Sequence, residues 1–191
     1  LKFAYLLVPS IILAWIIGQI DRIILGWMLT SAELGVYAFS ATLASYLVFV
    51  SYTIMPLFQS LSASYYDKGE FQMLRNLFEI WQYIFLSVAT ILMVFVVFFS
   101  QEILSLTAGE EYSKLPHILM MLCAAVCIDQ FFGQYQLTFN LVERPKLCTL
   151  VDSIKLLFLA VFIPTFVYFF GVSGAAFGVI TSVIIVNIFR Y

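Results

Sequence analysis

The stretch Leu77–Phe99, LFEIWQYIFLSVATILMVFVVFF, decides the fold class. Its one charge is Glu79, near the start, and the next charge along the chain is Glu102. A helix needs about 20 mainly apolar residues to cross a hydrocarbon core about 30 Å thick, and this run is long enough. The whole chain agrees with that reading. Its 191 residues are 63% hydrophobic and 10% charged, with a mean hydropathy of +1.04, whereas soluble domains carry about 25% charged residues. A water-soluble fold has nowhere to hide so much apolar surface, so lipid is the solvent.

Outward from this run, similar stretches predict spans at about 3–29 (broken near Asp21), 36–58, 77–99, 115–141, 147–170 and 172–189. In lipid every backbone N–H and C=O must be satisfied within the protein, and isolated apolar runs of this length do so as helices. The expectation is an all-α integral membrane protein, a six-transmembrane-helix bundle, with residues 1–191 a single unit. Apolar segments recur to the end of the chain, which sets it apart from a secreted protein with one removable leader. The chain begins at Leu1 and stops inside an apolar run at Tyr191, as expected of a fragment of a longer chain.

The links between spans are short: Thr30–Gly35, a polar segment Gln59–Arg75, an acidic loop Gln101–Lys114, the turn 143–146 and a Gly171–Gly174 corner. Lys and Arg near span ends are retained on the cytoplasmic side. Lys2, Lys68, Arg75, Arg144, Lys146 and Arg190 fall on one side, against Lys114 and, at most, Arg22 on the other. The chain start and end, the 59–75 segment and the 143–146 turn are therefore expected to be cytoplasmic, in a cytoplasmic (inner) membrane.

Ionisable groups in hydrocarbon are costly and usually face a bundle interior or a wet cavity. At 100° per residue, Asn76, Glu79, Tyr83, Ser87 and Thr90 share one stripe of the third span. Asp129, Gly133, Gln136 and Asn140 share a face of the fourth, widened by Gln130 and Gln134. The second span aligns Tyr37, Ser40, Ala41, Ala44, Ser45, Ser51 and Tyr52, a small and hydroxyl stripe suited to close helix contact. The fifth opens with Thr149, Asp152 and Lys155 on one face, where Asp152 and Lys155 can pair at i, i+3 or snorkel to headgroups. A hydrated central cavity open towards the cytoplasm would collect all four faces. Asp21 and Arg22 diverge by 100° and need not satisfy each other. Arg22 could meet Asp129 across the bundle and anchor it, or bind an anionic headgroup when that carboxylate is protonated.

Other chemistry finds little support. Cys123, Cys127 and Cys148 sit within apolar segments and read as small buried hydrophobes. With a single His, no metal-ligand pattern is complete, and no cofactor is implied. The 9 basic and 11 acidic residues form no basic tract for nucleic acid. Gly171-Val172-Ser173-Gly174 resembles the Gly-x-Ser-Gly signature of rhomboid intramembrane serine proteases, yet a serine nucleophile needs a base, and the rhomboid histidine follows the serine. No His follows Ser173 here. A Gly174/Gly178 GxxxG contact face is the simpler reading, and a noncatalytic membrane scaffold is a further alternative.

Several landmarks occur in order along nearly the whole chain: Ile20-Asp21-Arg22-Ile23-Ile24-Leu25-Gly26, then Glu33-Leu34-Gly35-Val36-Tyr37-Ala38 opening a helix and Met55-Pro56 closing it. Gly109-Glu110-Glu111-Tyr112, Glu143-Arg144-Pro145-Lys146 and Phe170-Gly171-Val172-Ser173-Gly174-Ala175-Ala176 follow. In this order and spacing they resemble the C-terminal half of the polysaccharide flippases, within the multidrug, oligosaccharidyl-lipid and polysaccharide exporter superfamily. The resemblance implies one half of a two-bundle alternating-access transporter, the other half being absent from these residues. Its substrate would be a polyprenyl-diphosphate-linked oligosaccharide, with membrane lipid as surroundings and ion-coupled transport. A multidrug exporter of the same superfamily is the alternative. For the diphosphate, Arg22 and Lys155 are the candidate cations, and Gln130, Gln134, Gln136 and Asn140 offer hydrogen bonds to sugar hydroxyls. Asp129, Glu79, Asp21 and Asp152 are the candidates for ion coupling.

Overall fold

The computed structural model describes residues 11–110, 115–141 and 145–190, with the side chains of 50–52, 108, 133–141, 145–146 and 189–190 outside that description. The described residues form helices and no strand. Residues 11–17 are helical (α1), followed by α2 (Ile20–Met28), α3 (Ser31–Ser45), α4 (Val48–Asp67), α5 (Phe71–Ala108), α6 (Pro116–Leu141) and α7 (Pro145–Arg190). This is the expected all-α membrane bundle. Ile11–Met28, Phe71–Thr107 and Leu147–Ile188 are each long and apolar enough to cross a bilayer. Trp27 is 89% exposed, Leu106 86% and Phe98 73%, an outside suited to lipid or to a further apolar protein surface rather than to water.

The interior is a single apolar cluster in which α6 packs on α3, α5 and α7, and α2 packs on α7. Leu25, Tyr37, Ile118, Leu119, Ile163 and Ala175 are fully or nearly fully buried there. A satellite cluster of Phe58 and Trp81, with Phe78 edge-on to Phe58 at 5.0 Å, joins α4 to α5.

Several of the described helix boundaries have a local cause. Thr30 caps α3 with a reciprocal box: its hydroxyl accepts the Glu33 N–H at 3.4 Å, and its own N–H donates to Glu33 Oε2 at 3.0 Å. Two orphan donors of the first turn are satisfied in this way. The first span breaks at Gly18–Gln19, slightly before the predicted site at Asp21, where the Gln19 N–H reaches back only three residues to the Ile16 carbonyl. The predicted continuous 36–58 span is also two helices. The Tyr46 and Leu47 N–H groups turn to Leu43 and Ala44 at 3.1 Å, while Thr42 and Ser45 hydroxyls take the carbonyls of Ala38 and Thr42. Such side-chain competition bends helices.

Pro56 does not close its helix as the sequence suggested. α4 continues through it to Asp67, because a proline in a packed membrane helix forfeits one hydrogen bond that neighbouring groups can replace. Most of the expected polar link 59–75 is accordingly helical, with the turn only at 68–70.

The last two predicted spans are joined through one residue. Gly171, at φ 60° and ψ −144°, interrupts the 46-residue α7 with backbone angles that side chains strongly disfavour. The halves fold back on each other. A Cβ on Gly178 would lie 2.9 Å from Ile163 Cα, and one on Gly174 would overlap the Phe166 carbonyl. These backbones touch because nothing stands between them, as expected of a small-residue contact face.

Candidate functional site

A cavity of about 260 Å³ lies among α1, α2, α3, α6 and α7. Its walls are mainly apolar, from residues such as Leu122, Val126, Leu159 and Val183, but Asp21, Arg22, Tyr37, Ser45, Asp129 and Lys155 all line it. Both helix breaks lie beside it, since Gly18 and Ser45 are among the lining residues.

The break at Gly18–Gln19 starts α2 at cavity level and puts Asp21 in its first turn, where the positive end of the helix dipole favours an acid. Asp21 Oδ1 accepts the Arg22 backbone N–H at 2.8 Å, and Oδ2 accepts the hydroxyl of fully buried Tyr37 at 2.9 Å. Arg22, one position on, sends Nη2 to Thr42 Oγ1 at 3.4 Å. Its Nε is buried and has no hydrogen-bond partner.

Across the cavity Lys155 Nζ donates to Asp129 Oδ2 at 2.7 Å, and the two side chains are 13% and 25% exposed. A mostly buried pair of this kind is costly to break by removing one member, because a lone charge is then left in low dielectric. Asp129 thus meets Lys155 rather than Arg22, the cross-bundle partner considered for it from sequence. Asp152 is buried one turn before Lys155 and does not line this cavity.

The other predicted site residues fall elsewhere. Glu79 accepts from Arg75 Nε at 2.9 Å in an i, i+4 pair whose side chains are 49% and 75% exposed. No α5 residue lines the cavity. Tyr83, on the same stripe, is 72% exposed, and Ser87 and Thr90 donate to their own helix at Tyr83 and Leu86. Of the four polar faces expected to converge, that of the third span therefore turns outward. Gln130 borders a separate crevice of about 10 Å³ with Leu47, Phe85 and Leu92, space for about one water. Gln134, Gln136 and Asn140 lie on α6 with side chains outside the described residues, as do Glu111, Lys114, Glu143, Arg144 and Lys2 entirely.

Tyr37 was visible in the sequence as part of a stripe, but its bond to Asp21 was not. The rhomboid-like serine also gains a neighbour: Ser173 Oγ stands 2.7 Å from His117 Nε2. His117 is exposed, and among the described residues no carboxylate bonds to its ring to orient it as the base of a catalytic triad requires. The contact clasps the start of α6 to the corner of α7. Among the described residues no group of His, Cys, Asp and Glu could hold a metal ion, and Cys123, Cys127 and Cys148 form no disulfide.

No curated protein and no solved structure matches the chain. A family model does: MatE, over residues 7–139.

Proposed function

From the premise that the chain belongs to the MatE family, and so is part of a multi-pass membrane transporter of the multidrug, oligosaccharidyl-lipid and polysaccharide exporter superfamily, we propose that it moves a lipid-linked saccharide. Members of the family are transporters rather than enzymes. On this reading the chain forms one of two bundles, and the anionic polyprenyl-diphosphate group enters the cavity while the tail stays in lipid.

One observation carries the choice of substrate: two cations, Arg22 and Lys155, line a single apolar-walled cavity, and the buried Nε of Arg22 has no partner. A buried unsatisfied donor costs about 1–3 kcal/mol, more when charged, and an oxyanion would remove that cost. A cavity selecting cationic drugs gains nothing from such a group. The broken helices beside the cavity support the same reading, since transporter sites are commonly built where membrane helices are interrupted. Asp21 and Asp129 are the groups proposed for ion coupling.

The test is transport by the full-length protein in proteoliposomes, comparing translocation of a polyprenyl-diphosphate-linked saccharide with extrusion of a cationic dye. Saccharide movement without dye movement is expected. Dye extrusion with no saccharide movement would assign the chain to the multidrug members instead.

A further inference from the structure

We propose that Asp129 is a resident stand-in for the substrate's anion: it is paired with Lys155 in this structure, and a phosphate-type anion binds in competition with it. This rests on the reading that the cavity accepts an anionic headgroup, and it adds the order of events at that site.

The inference begins with the donors. An ammonium has three N–H bonds and a guanidinium five, none of which can accept. In this cavity one Lys155 donor is spent on Asp129 at 2.7 Å, and Arg22 retains a buried Nε with no acceptor. Among the described residues two ion pairs occur, Arg75–Glu79 on the surface and Lys155–Asp129 here, so the Arg22 guanidinium has none. The remaining titratable groups facing the space are Asp21 and Tyr37, which bond to each other. The cavity therefore holds one cation paired with a carboxylate and one, Arg22, whose buried Nε has no acceptor.

The cavity has room for an anion: its volume of about 260 Å³ approaches the roughly 300–1,000 Å³ of small-molecule pockets, enough for a phosphate-type group with some water. A diphosphate bridging Arg22 and Lys155 would give each an oxyanion partner, and charge-assisted bonds to phosphate are among the strong ones. Lys155 has two further N–H donors, but Asp129 already balances its charge. A phosphate gains the full attraction of the ammonium only as Asp129 yields, and the attraction of Asp129 for Lys155 is subtracted from the affinity for the ligand.

The consequence has an unusual sign. Removing the Asp129 charge should tighten anion binding, because Lys155 is then left without its counter-ion and the ligand supplies one. Removing either cation should weaken it.

The experiment uses the full-length protein in detergent, with farnesyl diphosphate, inorganic diphosphate and farnesol as probes, followed by calorimetry. Farnesyl diphosphate should bind Asp129→Asn about tenfold more tightly than wild type, and Lys155→Gln and Arg22→Gln at least tenfold more weakly. Adding Asp129→Asn to Lys155→Gln should restore nothing. Parallel gains for inorganic diphosphate would place the recognition in the anion itself, and gains confined to farnesyl diphosphate would tie it to a lipid headgroup; both support the swap. Farnesol should respond to none of the variants.

Equal or weaker binding by folded Asp129→Asn overturns the proposal while leaving the substrate reading intact. Absence of diphosphate binding in wild type and every variant overturns both. Should Asp129→Asn fail to fold, ligand-induced infrared difference spectra of wild type and Asp129→Glu decide. A perturbed carboxylate band that shifts in Asp129→Glu supports displacement, and spectra without a carboxylate signal refute it.

Discussion

Two acids share the cavity and are held in opposite ways, Asp21 by neutral donors and Asp129 by an ammonium. Tyr37 is the clearest test of the first arrangement. Tyr37→Phe leaves the ring in place and removes one donor from a half-buried carboxylate, so it should lower stability by about 1–3 kcal/mol, read as a fall in thermal midpoint of the full protein. At the membrane edge, the hydroxyl and N–H of Thr30 both donate to Glu33 and hold its carboxyl below the ordinary value of 4.5. A lowered folded pKa contributes stability that is present above that ordinary value and fades as pH falls through the depressed one. Thr30→Ala should cost about 1 kcal/mol at neutral pH and abolish this acid-side slope; a variant whose acid unfolding profile matched wild type would contradict the cap. The pairing of Asp129 with Lys155 was legible in the sequence, though not read from it. The two positions lie symmetrically about residue 142, in the link between α6 and α7, so antiparallel neighbours rising 1.5 Å per residue bring them to equal depth. Tyr37 with Asp21 carries no such signal, because their meeting depends on a helix break that sequence spacing does not reveal.

The helices themselves were mostly legible as apolar runs, and the departures have specific causes. Length and hydropathy revealed α5, α6 and both halves of α7, whereas the polar stripe of α5 does not reach this cavity, and Ser87 and Thr90 satisfy their hydroxyls on their own helix. A hydroxyl bonded to the carbonyl four residues back can face lipid at little cost, so periodicity alone does not separate a cavity face from a lipid face. The α3–α4 break is equally hidden, resting on hydroxyls that an unbroken span would also tolerate. The corner of α7 was foreseen from its glycines, and it gives the sharpest element-scale prediction. Gly171→Ala forces a side chain into the φ 60° conformation and should cost about 1–3 kcal/mol. Gly174→Leu should be far worse, since its Cβ alone would collide with the Phe166 backbone. Expression and thermal unfolding of the two variants check the ranking, and equal tolerance of both would mean that the hairpin contact is wrong.

On the scale of the whole molecule, the bundle is apolar outside, with its mostly buried charges gathered where α2, α6 and the first half of α7 meet. Lipid explains the outside, and transport is what makes the inside worth its cost, since a buried ion pair contributes little net stability by itself. The proposed orientation places Lys68 and Arg75 in the cytoplasm; single cysteines there should resist membrane-impermeant maleimide applied to intact cells, and labelling would reverse the topology. The most direct measurement concerns the cavity: the rate at which the full-length protein translocates a polyprenyl-diphosphate-linked saccharide in proteoliposomes, for wild type against Arg22→Gln and Lys155→Gln. A fall of at least tenfold in both, with the protein still folded, is the expected result. Wild-type rates in both variants would contradict an anion site in this cavity.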